Sequence, residues 1–386
     1  MSKVLSKKSI TRLGLLLLII AFGIFLYYFN DIDKVQLLKE DGVTYEKAVV
    51  KEIITDNIQE DGSRIGTQTV KVKMLTGEYK GEILEANSFS GYLYGADCTE
   101  NMRVVVSVSE SNESIYISVY SYYRESVIYV FVAVFLLLLW WIGGRNGFRS
   151  ALGLIFTFIC IMFLLIPMLY KGYSPLLSSV IVVTLITVVS LCLIGGLTSK
   201  TISAILGTII GVIIAAGCAA TFGYFAKVTG YNVSEIEDLV FVASNTELKI
   251  GELLFSGILI SSLGAVMDVS MSIASTVTEI YSKNSYLSKN ELFKSGITVG
   301  KDMMGTMSNT LILAFTGGSL NTLLLNYAYA IKYDQLINMY SICIEIMQGV
   351  SGSIGIILTV PLVSFISSRL ITSEKVKRLN KKQNII

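Results

Sequence analysis

The chain has 386 residues, of which 53% are hydrophobic and only 16% are charged, whereas a soluble domain carries about 25% charged residues. The apolar residues gather in runs of roughly 17 residues or more, each long enough to cross a hydrocarbon layer of about 30 Å, which excludes a soluble enzyme. A net charge of +2 gives nucleic acid no basic surface to bind. The absence of histidine removes the commonest metal ligand, so we predict no metal site, no cofactor and no catalytic residue.

The first apolar run covers residues 13–29 and follows four basic residues. No small-residue cleavage pattern comes after it, which favours an uncleaved anchor over a signal peptide. We therefore predict an N-terminal transmembrane anchor over residues 1–29, with the N-terminus inside.

Residues 30–126 have the composition of a soluble domain, in which acidic residues outnumber basic ones. Short β-type runs at 48–54, 67–74, 104–108 and 114–119 are separated by turn signals. This segment predicts a small extracytoplasmic all-β domain, either a barrel or a sandwich.

Seven further apolar runs predict a seven-helix transmembrane bundle over residues 127–367. The runs cover 127–143, 151–170, 175–197, 202–225, 251–279, 303–330 and 339–367. With the anchor they make an α-helical polytopic membrane protein, an eight-helix bundle. Basic residues lie in alternate loops and in the tail at 368–386, so both termini are predicted to be cytoplasmic and the β domain outside the cell membrane.

The fifth span has a small residue at every fourth position, from Ser203 through Gly207, Gly211 and Ala215 onwards. This spacing places the small residues on one helix face, where another helix can approach closely. The residues predicted to serve helix packing are Gly207, Gly211, Ala215, Gly264, Gly305 and Gly352.

The sixth span contains an acidic residue, Asp268, and its helical face continues through Ser272 to Glu279. An ionisable group inside a membrane costs at least about 2.5 kcal/mol on insertion scales, and such groups often mark ion or proton paths. The alternative is a structural hydrogen bond from Asp268 to a neighbouring helix.

The seventh span carries Lys301, Asp302, Thr306 and Asn309 on one face. Lys301 and Asp302 are either counter-charges for a membrane carboxylate or interfacial charges. Ser288 and Glu291 fit a capping box, which predicts a short interfacial helix over 289–300 before this span. Gly317 and Gly318 either break the span or allow close packing.

The eighth span, at 339–367, carries Glu345 in a stripe of small and polar residues that ends near Pro361. Glu345 and Asp268 could define a polar route through the last three spans. The residues predicted for an ion or proton pathway are Asp268, Ser272, Glu279, Lys301, Asp302, Thr306, Asn309 and Glu345.

Three segments of the sequence, at 263–269, 300–311 and 352–355, resemble signatures of the YibE/F family of bacterial membrane proteins. The resemblance extends over nearly the whole chain and implies a multi-pass membrane protein without an agreed substrate. The order of an acidic Gly-rich helix, an inner amphipathic helix and a polar helix is also similar to the half-repeat of RND and SecD/SecF transporters. That similarity implies a proton-coupling aspartate and a homodimer.

The sequence thus predicts a transporter or exporter of unknown substrate, and Asp268 is the titrating group if transport is proton-coupled. The alternative is an accessory membrane subunit whose outer β domain binds a partner or peptide. An intramembrane enzyme is disfavoured because His-Glu-x-x-His and Gly-x-Gly-Asp motifs are absent. The predicted partners are the lipid bilayer, an unknown substrate and a second copy of the chain, with no nucleic acid.

Overall fold

A computed structural model describes residues 17, 20–32, 34–35, 42–60, 64–89, 95–111 and 114–373 of the chain. The chain divides into two compact units. One unit comprises residues 36–138, and the other comprises residues 1–35 together with 139–386. Most of the predicted basic tail, from residue 374 onwards, and most of the first half of the predicted anchor lie outside the described residues.

The smaller unit contains a closed five-stranded barrel. Its strands are β1 (Val43–Thr55), β2 (Thr67–Met74), β3 (Ile83–Phe89), β4 (Arg103–Ser111) and β5 (Ser114–Tyr122). They follow the order β1-β2-β3-β5-β4, and β3 pairs with β5 in parallel while the other neighbours are antiparallel. This is the strand order of an OB-type barrel. The predicted β domain is therefore present, as a barrel rather than a sandwich.

The barrel core follows from strict alternation of apolar and polar residues. In β2, Val70, Val72 and Met74 point inward and are at most 1% exposed, while Lys73 is exposed. The buried amide of Gln68 donates to the Cys98 carbonyl at 3.1 Å and accepts from the Cys98 backbone N–H at 2.9 Å. This pair of bonds fixes the segment between β3 and β4 against the barrel, because a buried amide must find partners.

The larger unit is helical, and the helices of the chain are α1 (Ile20–Phe29), α2 (Glu125–Cys160), α3 (Ile166–Tyr170), α4 (Pro175–Gly195), α5 (Ser199–Ala226), α6 (Ile236–Asn245), α7 (Leu253–Lys283), α8 (Lys289–Gly318), α9 (Leu320–Ala328), α10 (Tyr333–Ile337) and α11 (Tyr340–Thr372). Among the described residues, five helical segments are long and apolar enough to cross a membrane, or six if α8 and α9 form one bent span. The count of eight spans stays a prediction.

The first of these segments, Glu125–Tyr170, is 46 residues long and contains a break. At about 1.5 Å per residue it would be about 69 Å long if straight, more than twice the hydrocarbon thickness. Gly144 has φ 53° and ψ −130°, and a Cβ placed on Gly147 would overlap the carbonyl oxygen of Leu139. The chain therefore turns sharply at Gly144, in agreement with the two runs that the sequence predicts there.

The anchor packs on the end of this segment through a polar contact. The segment contains a π-helical turn, Ile161–Leu165, in which the Ile166 N–H donates to the Ile161 carbonyl. Pro167, which follows the turn, lacks an N–H and cannot donate to any carbonyl of it. Asn30 donates to a carbonyl of this turn, with its amide nitrogen 2.7 Å from the Phe163 oxygen. Lys171 donates to the Phe29 carbonyl at 2.7 Å. The start of the chain is thus fixed to the helical unit just after α1.

Helix α5 packs against both α7 and α11, which also pack against each other. A Cβ on Gly207 would overlap Val363, and a Cβ on Gly211 would overlap the Thr359 hydroxyl and approach Val266. A Cβ on Gly355 would come within 2.8 Å of Ala215. The small-residue face of the fifth span therefore permits the close helix contacts that its spacing indicates.

Two helix boundaries differ from the prediction. Helix α8 runs unbroken from Lys289 to Gly318 instead of starting with a separate interfacial helix, because Gly296 and Gly300 let its first half pack closely on Ser364 and Val360 of α11. Helix α11 runs through Pro361, as the predicted span does, and ends at Thr372 instead of residue 367. Neighbouring helices allow a proline inside a membrane helix.

Two smaller features of α8 agree with the sequence. The Ser288 capping box is formed, with both of its reciprocal hydrogen bonds. The helix ends at Gly317 and Gly318, and the chain bends by 60° into α9. A Cβ on either glycine would meet nothing within 4 Å, so breaking the span is the role that the structure shows for this pair.

Candidate functional site: a polar face on α7 and α8

One face of α7 is buried and apolar and the opposite face is small and polar. Leu259, Val266 and Ile273 on the buried face are 0% exposed. Ser261, Gly264 and Asp268, at spacings of three and four residues, lie exposed on the other face. This division is typical of an amphipathic helix, but here it occurs in a segment that is apolar enough to span a membrane.

Helix α8 shows the same division. Leu292, Gly296 and Gly300 face inward. Lys301, Asp302, Gly305, Thr306 and Asn309 are exposed. We call the exposed residues Ser261, Gly264, Asp268, Lys301, Asp302, Gly305, Thr306 and Asn309 the polar face.

The charged residues of the polar face lie at similar depths along their helices. Asp268 is 15 residues before the end of α7 at Lys283, and Lys301 is 12 residues after the start of α8 at Lys289. At about 1.5 Å per residue these are distances of about 22 Å and about 18 Å from the connection that joins the two helices. Both charges therefore lie far from the connecting loop.

Four side chains of the polar face form no hydrogen bond or ion pair with another residue in the part of the chain that the structure describes. They are Asp268, Lys301, Asp302 and Asn309. The hydroxyl groups differ, because Ser261 and Thr306 donate to carbonyl oxygens of their own helices at 3.1 Å and 3.4 Å. The predicted pairing of Lys301 with a membrane carboxylate is not present within one chain at 4 Å.

The glycines of the polar face have open space beside them. A Cβ on Gly264 or Gly305 would meet no atom within 4 Å, whereas a Cβ on Gly352 would come within 2.6 Å of Leu311. The six residues predicted for helix packing therefore fall into two groups. Gly207, Gly211, Ala215 and Gly352 face neighbouring helices of the same chain, and Gly264 and Gly305 face outward.

Glu345 does not join the polar face. Its neighbours Ile344 and Met347 pack with Leu254 and Ile258 near the start of α7, and Asp268 lies 10 residues further along, a distance of about 15 Å. The Oε2 atom of Glu345 is enclosed and has no hydrogen-bond partner among the described residues. The two carboxylates thus occupy different levels of the helical unit.

Glu279 and Ser272 extend from the polar face towards the end of α7. Glu279 lies 3.7 Å from Lys283 and lines a cavity of about 630 Å³ together with Thr198, Lys200 and Ser275. Ser272 is half-buried one turn beyond Asp268. The predicted pathway residues on α7 therefore follow one helix face and end at this cavity.

A polar face of this kind cannot be left against lipid without cost. Hydrocarbon offers no hydrogen-bond partner, so ionisable groups in membrane helices usually face a bundle interior or water. No group of three or more potential metal ligands occurs among the described residues. The arrangement suits contact with water, a small ion or another polar protein surface.

Sequence reasoning missed one group of residues that the fold brings together. Trp140 and Phe148 lie with their ring centroids 6.4 Å apart, and with Arg145 and Arg149 they line a cavity of about 290 Å³. None of these four residues is among the site residues that the sequence predicts. The signal that could have found the site is Gly-Gly between two aromatic residues, which predicts the turn.

The apolar helices and the barrel together define a helical membrane protein with a small β domain. Residues 131–373 match the family model described as YibE/F-like protein. The match covers more than half of the chain, which belongs to this family. No curated protein and no solved structure matches the chain.

Proposed function

We propose that the protein is a transporter or exporter and that the polar face of α7 and α8 borders its transport route. The observation that carries the proposal is the set of unpaired side chains, Asp268, Lys301, Asp302 and Asn309, that are exposed on α7 and α8. A structural hydrogen bond from Asp268 would need a partner on a neighbouring helix, and none of the described residues supplies it. Water or a transported ion satisfies such a carboxylate where lipid cannot.

The route requires a second copy of the chain, because the polar face lies on the outside of a single helical unit. Two copies related by an axis along the membrane normal keep each residue at its own depth. Asp268 of one copy can then approach Lys301 of the partner subunit, since the two residues lie at similar depths. Gly264 and Gly305 leave space for close approach of the two backbones.

Proton coupling is the mechanism that the residue types favour. The chain has no histidine, which favours a carboxylate as the proton carrier, and Asp268 is the acidic residue of the polar face that lies furthest from the connection of α7 and α8. Asp268 would take up and release the proton, with Lys301 and Asn309 as counter-charge and relay. Glu345 on α11, which lies at a different depth from Asp268, would bind the proton at a separate point of the same route.

Cysteine accessibility tests whether the polar face is hydrated. Single cysteines replace Asp268 and Asn309 in a cysteine-free background, and a matched control replaces Ile213, an exposed apolar residue of α5. In membranes, a water-soluble thiosulfonate reagent is expected to modify positions 268 and 309 and not 213. Equal protection of all three positions would reject the route.

Cross-linking tests the second copy. With cysteine in place of Gly305 or Ser261, oxidation in the membrane is expected to give a disulfide-linked dimer. The Ile213→Cys variant is the control and should stay monomeric. If the polar-face cysteines stay monomeric as well, the two-copy route is wrong.

Proton flux in proteoliposomes tests the role of Asp268. Asp268→Asn is expected to abolish dye-detected proton movement under an imposed potential and to leave membrane insertion intact. Asp334→Asn, a substitution at an exposed aspartate of α10, is the matched control. Unchanged flux in Asp268→Asn would remove proton coupling through this residue.

We further propose that both termini are cytoplasmic and that the barrel lies outside the cell membrane. Support comes from the basic residues in alternate connections, such as Arg145, Arg149 and Lys200. Cysteines in place of Lys80 on the barrel and Ser285 between α7 and α8, both exposed positions, report the orientation. An impermeant reagent should modify only position 80 in intact cells, and modification of position 285 alone would reverse the assignment.

An accessory role is the second candidate, and the barrel favours it, because residues 36–138 form a compact unit of their own. Such a subunit would bind a partner or peptide through the barrel and use its helices as an anchor. Removal of residues 30–125 separates the candidates. Loss of all cellular activity on removal, with Asp268 dispensable, would favour the accessory role.

A further inference from the structure

The turn at Gly144 builds a small basic cavity that the transport proposal does not use. Trp140, Arg145, Phe148 and Arg149 line a space of about 290 Å³. The four residues come from both sides of the turn, since Trp140 precedes Gly144 and the other three follow it. The cavity therefore exists only because the chain folds back at this point.

The backbone turn brings together the two aromatic rings that line the cavity. Trp140 and Phe148 are eight residues apart, which in a straight helix would be about 12 Å along the axis. The positive φ of Gly144, which a side chain would disfavour, and the close approach of Gly147 to the Leu139 carbonyl bring the two rings to 6.4 Å between centroids. The rings form an apolar wall beside the two arginines.

The two arginines have no anionic partner in the part of the protein that the structure describes. Arg145 and Arg149 are exposed and one helical turn apart, so they face the same side of the helix. Neither forms an ion pair with a carboxylate among the described residues, and residues 139–150 contain no aspartate or glutamate. Two guanidinium groups at this spacing suit a phosphate group, because each guanidinium presents a planar fork of N–H donors to the oxygens.

The surroundings of the cavity distinguish a lipid from a free anion. Trp141 and Ile142 are 81% and 82% exposed beside it, and a tryptophan next to basic residues is typical of the membrane interface. A lipid headgroup would place its phosphate on the arginines and its acyl chain along these apolar side chains. Inorganic phosphate would use the arginines alone.

We propose that this cavity binds the phosphate of an anionic phospholipid, of the phosphatidylglycerol or cardiolipin class. Arg145 and Arg149 hold the phosphate, and Trp140 and Phe148 pack against the glycerol and upper acyl region. The proposal does not depend on transport or on a second copy. Basic pockets beside membrane helices bind such headgroups in the same manner.

The test measures lipid binding to the full chain by native mass spectrometry and by thermal stability in detergent. Phosphatidylglycerol is compared with phosphatidylcholine and with inorganic phosphate. The wild-type protein is expected to retain phosphatidylglycerol in preference to phosphatidylcholine. The variant R145Q/R149Q is expected to lose this preference, with affinity lowered by about tenfold or more.

The matched control is K283Q/K289Q, which removes two positive charges at the ends of α7 and α8 and should keep the preference. If R145Q/R149Q does not fold, R145K/R149K keeps both charges and removes the planar forks, and it should also weaken binding. Retention of the preference in the arginine variants would overturn the proposal. Equal stabilisation by inorganic phosphate would overturn the assignment to a lipid.

Discussion

The barrel and the helical unit use the same polar residue types in opposite ways. In the barrel, the buried Ser88 hydroxyl donates to the Ala96 carbonyl at 2.6 Å and accepts from the Ala96 backbone N–H at 3.1 Å. In the helical unit, the buried hydroxyls of Thr208 and Ser270 have no partner among the described residues. The barrel places its charges outward, where surface pairs such as Lys71 with Glu52 form at 2.7 Å.

This difference shows in which region the exposure of a charged side chain indicates a functional site. On the barrel an exposed lysine needs no explanation, because water solvates it. On α7 and α8 the same exposure places charge where lipid would lie, at a cost of at least about 2.5 kcal/mol for each group. The polar face therefore calls for a partner, whereas the surface of the barrel does not.

The largest effect is expected from filling the closest helix contact. Gly211→Leu would place a large side chain where Thr359 and Val266 already lie, and this overpacking is expected to destabilise the helical unit by about 3 kcal/mol or more. Gly264→Leu, on the open polar face, is the matched control and should leave the fold of one chain intact. The midpoint of thermal aggregation in detergent measures the difference, and equal loss in both variants would contradict the division into packed and open glycines.

A somewhat smaller effect is expected in the barrel core. Val106 is 0% exposed, and Val106→Ala should destabilise the barrel by about 1–3 kcal/mol because it leaves a cavity. The readout is alkylation of Cys98, whose thiol is 0% exposed and whose pKa is raised by burial, so that the folded barrel protects it. Tyr116→Ala, at a position 65% exposed, is the control, and equal alkylation rates in the two variants would contradict the core assignment.

The contact between Asn30 and Phe163 tests how the helical unit satisfies backbone groups away from water. Asn30→Ala removes the donor to the Phe163 carbonyl and is expected to cost about 1–2 kcal/mol. In a Pro167→Leu background residue 167 regains an N–H that can donate to a carbonyl of the Ile161–Leu165 turn, so Asn30→Ala is expected to cost less. The thermal stabilities of the wild type, the two single variants and the double variant measure the coupling between Asn30 and Pro167. Additive effects of the two substitutions would show that the proline does not create the need for Asn30.

The smallest effect is expected on the surface of the barrel. Lys47 lies 2.5 Å from Glu125, and the hydrogen bond to that carboxylate raises the pKa of Lys47 above 10.5. A raised pKa stabilises the fold below the unfolded-state pKa, and this stabilisation is lost as the pH rises through the folded-state value. Lys47→Met should therefore change Cys98 protection little at neutral pH, because exposed ion pairs contribute little.

The control for this last prediction is the protection of Cys98 measured at alkaline pH. The wild-type barrel should lose a small part of its protection above pH 10.5, and Lys47→Met should lose less. A large effect of Lys47→Met at neutral pH would contradict the view that the charges of the barrel are solvated by water.

Several features of the fold could be predicted because they depend on local patterns. The alternation in β2 predicts its inward valines, and the Ser288 capping box predicts the start of α8. The continuity of α8 could not be predicted in this way, because it depends on Gly296 and Gly300 meeting α11, a helix far away in sequence.

For the polar face, the spacing of its residues could be predicted from the sequence, but the direction in which the face points could not. The spacing of Ser261, Gly264 and Asp268 on one face of α7 follows from 3.6 residues per turn and needs no structure. Whether that face points into the bundle or away from it depends on how α7 packs against α5, α8 and α11. The structure turns it outward, and places Glu345 about 15 Å from Asp268 along α7.

The sequence by itself determined that this protein has long apolar helices, a small β domain and a few charged groups within its apolar segments, because these properties depend on composition and on short-range periodicity. The tertiary structure decided which small residues touch, where the chain turns back at Gly144 and which polar side chains remain unpaired. Those properties depend on contacts between residues that are distant along the chain, and no local pattern fixes such contacts.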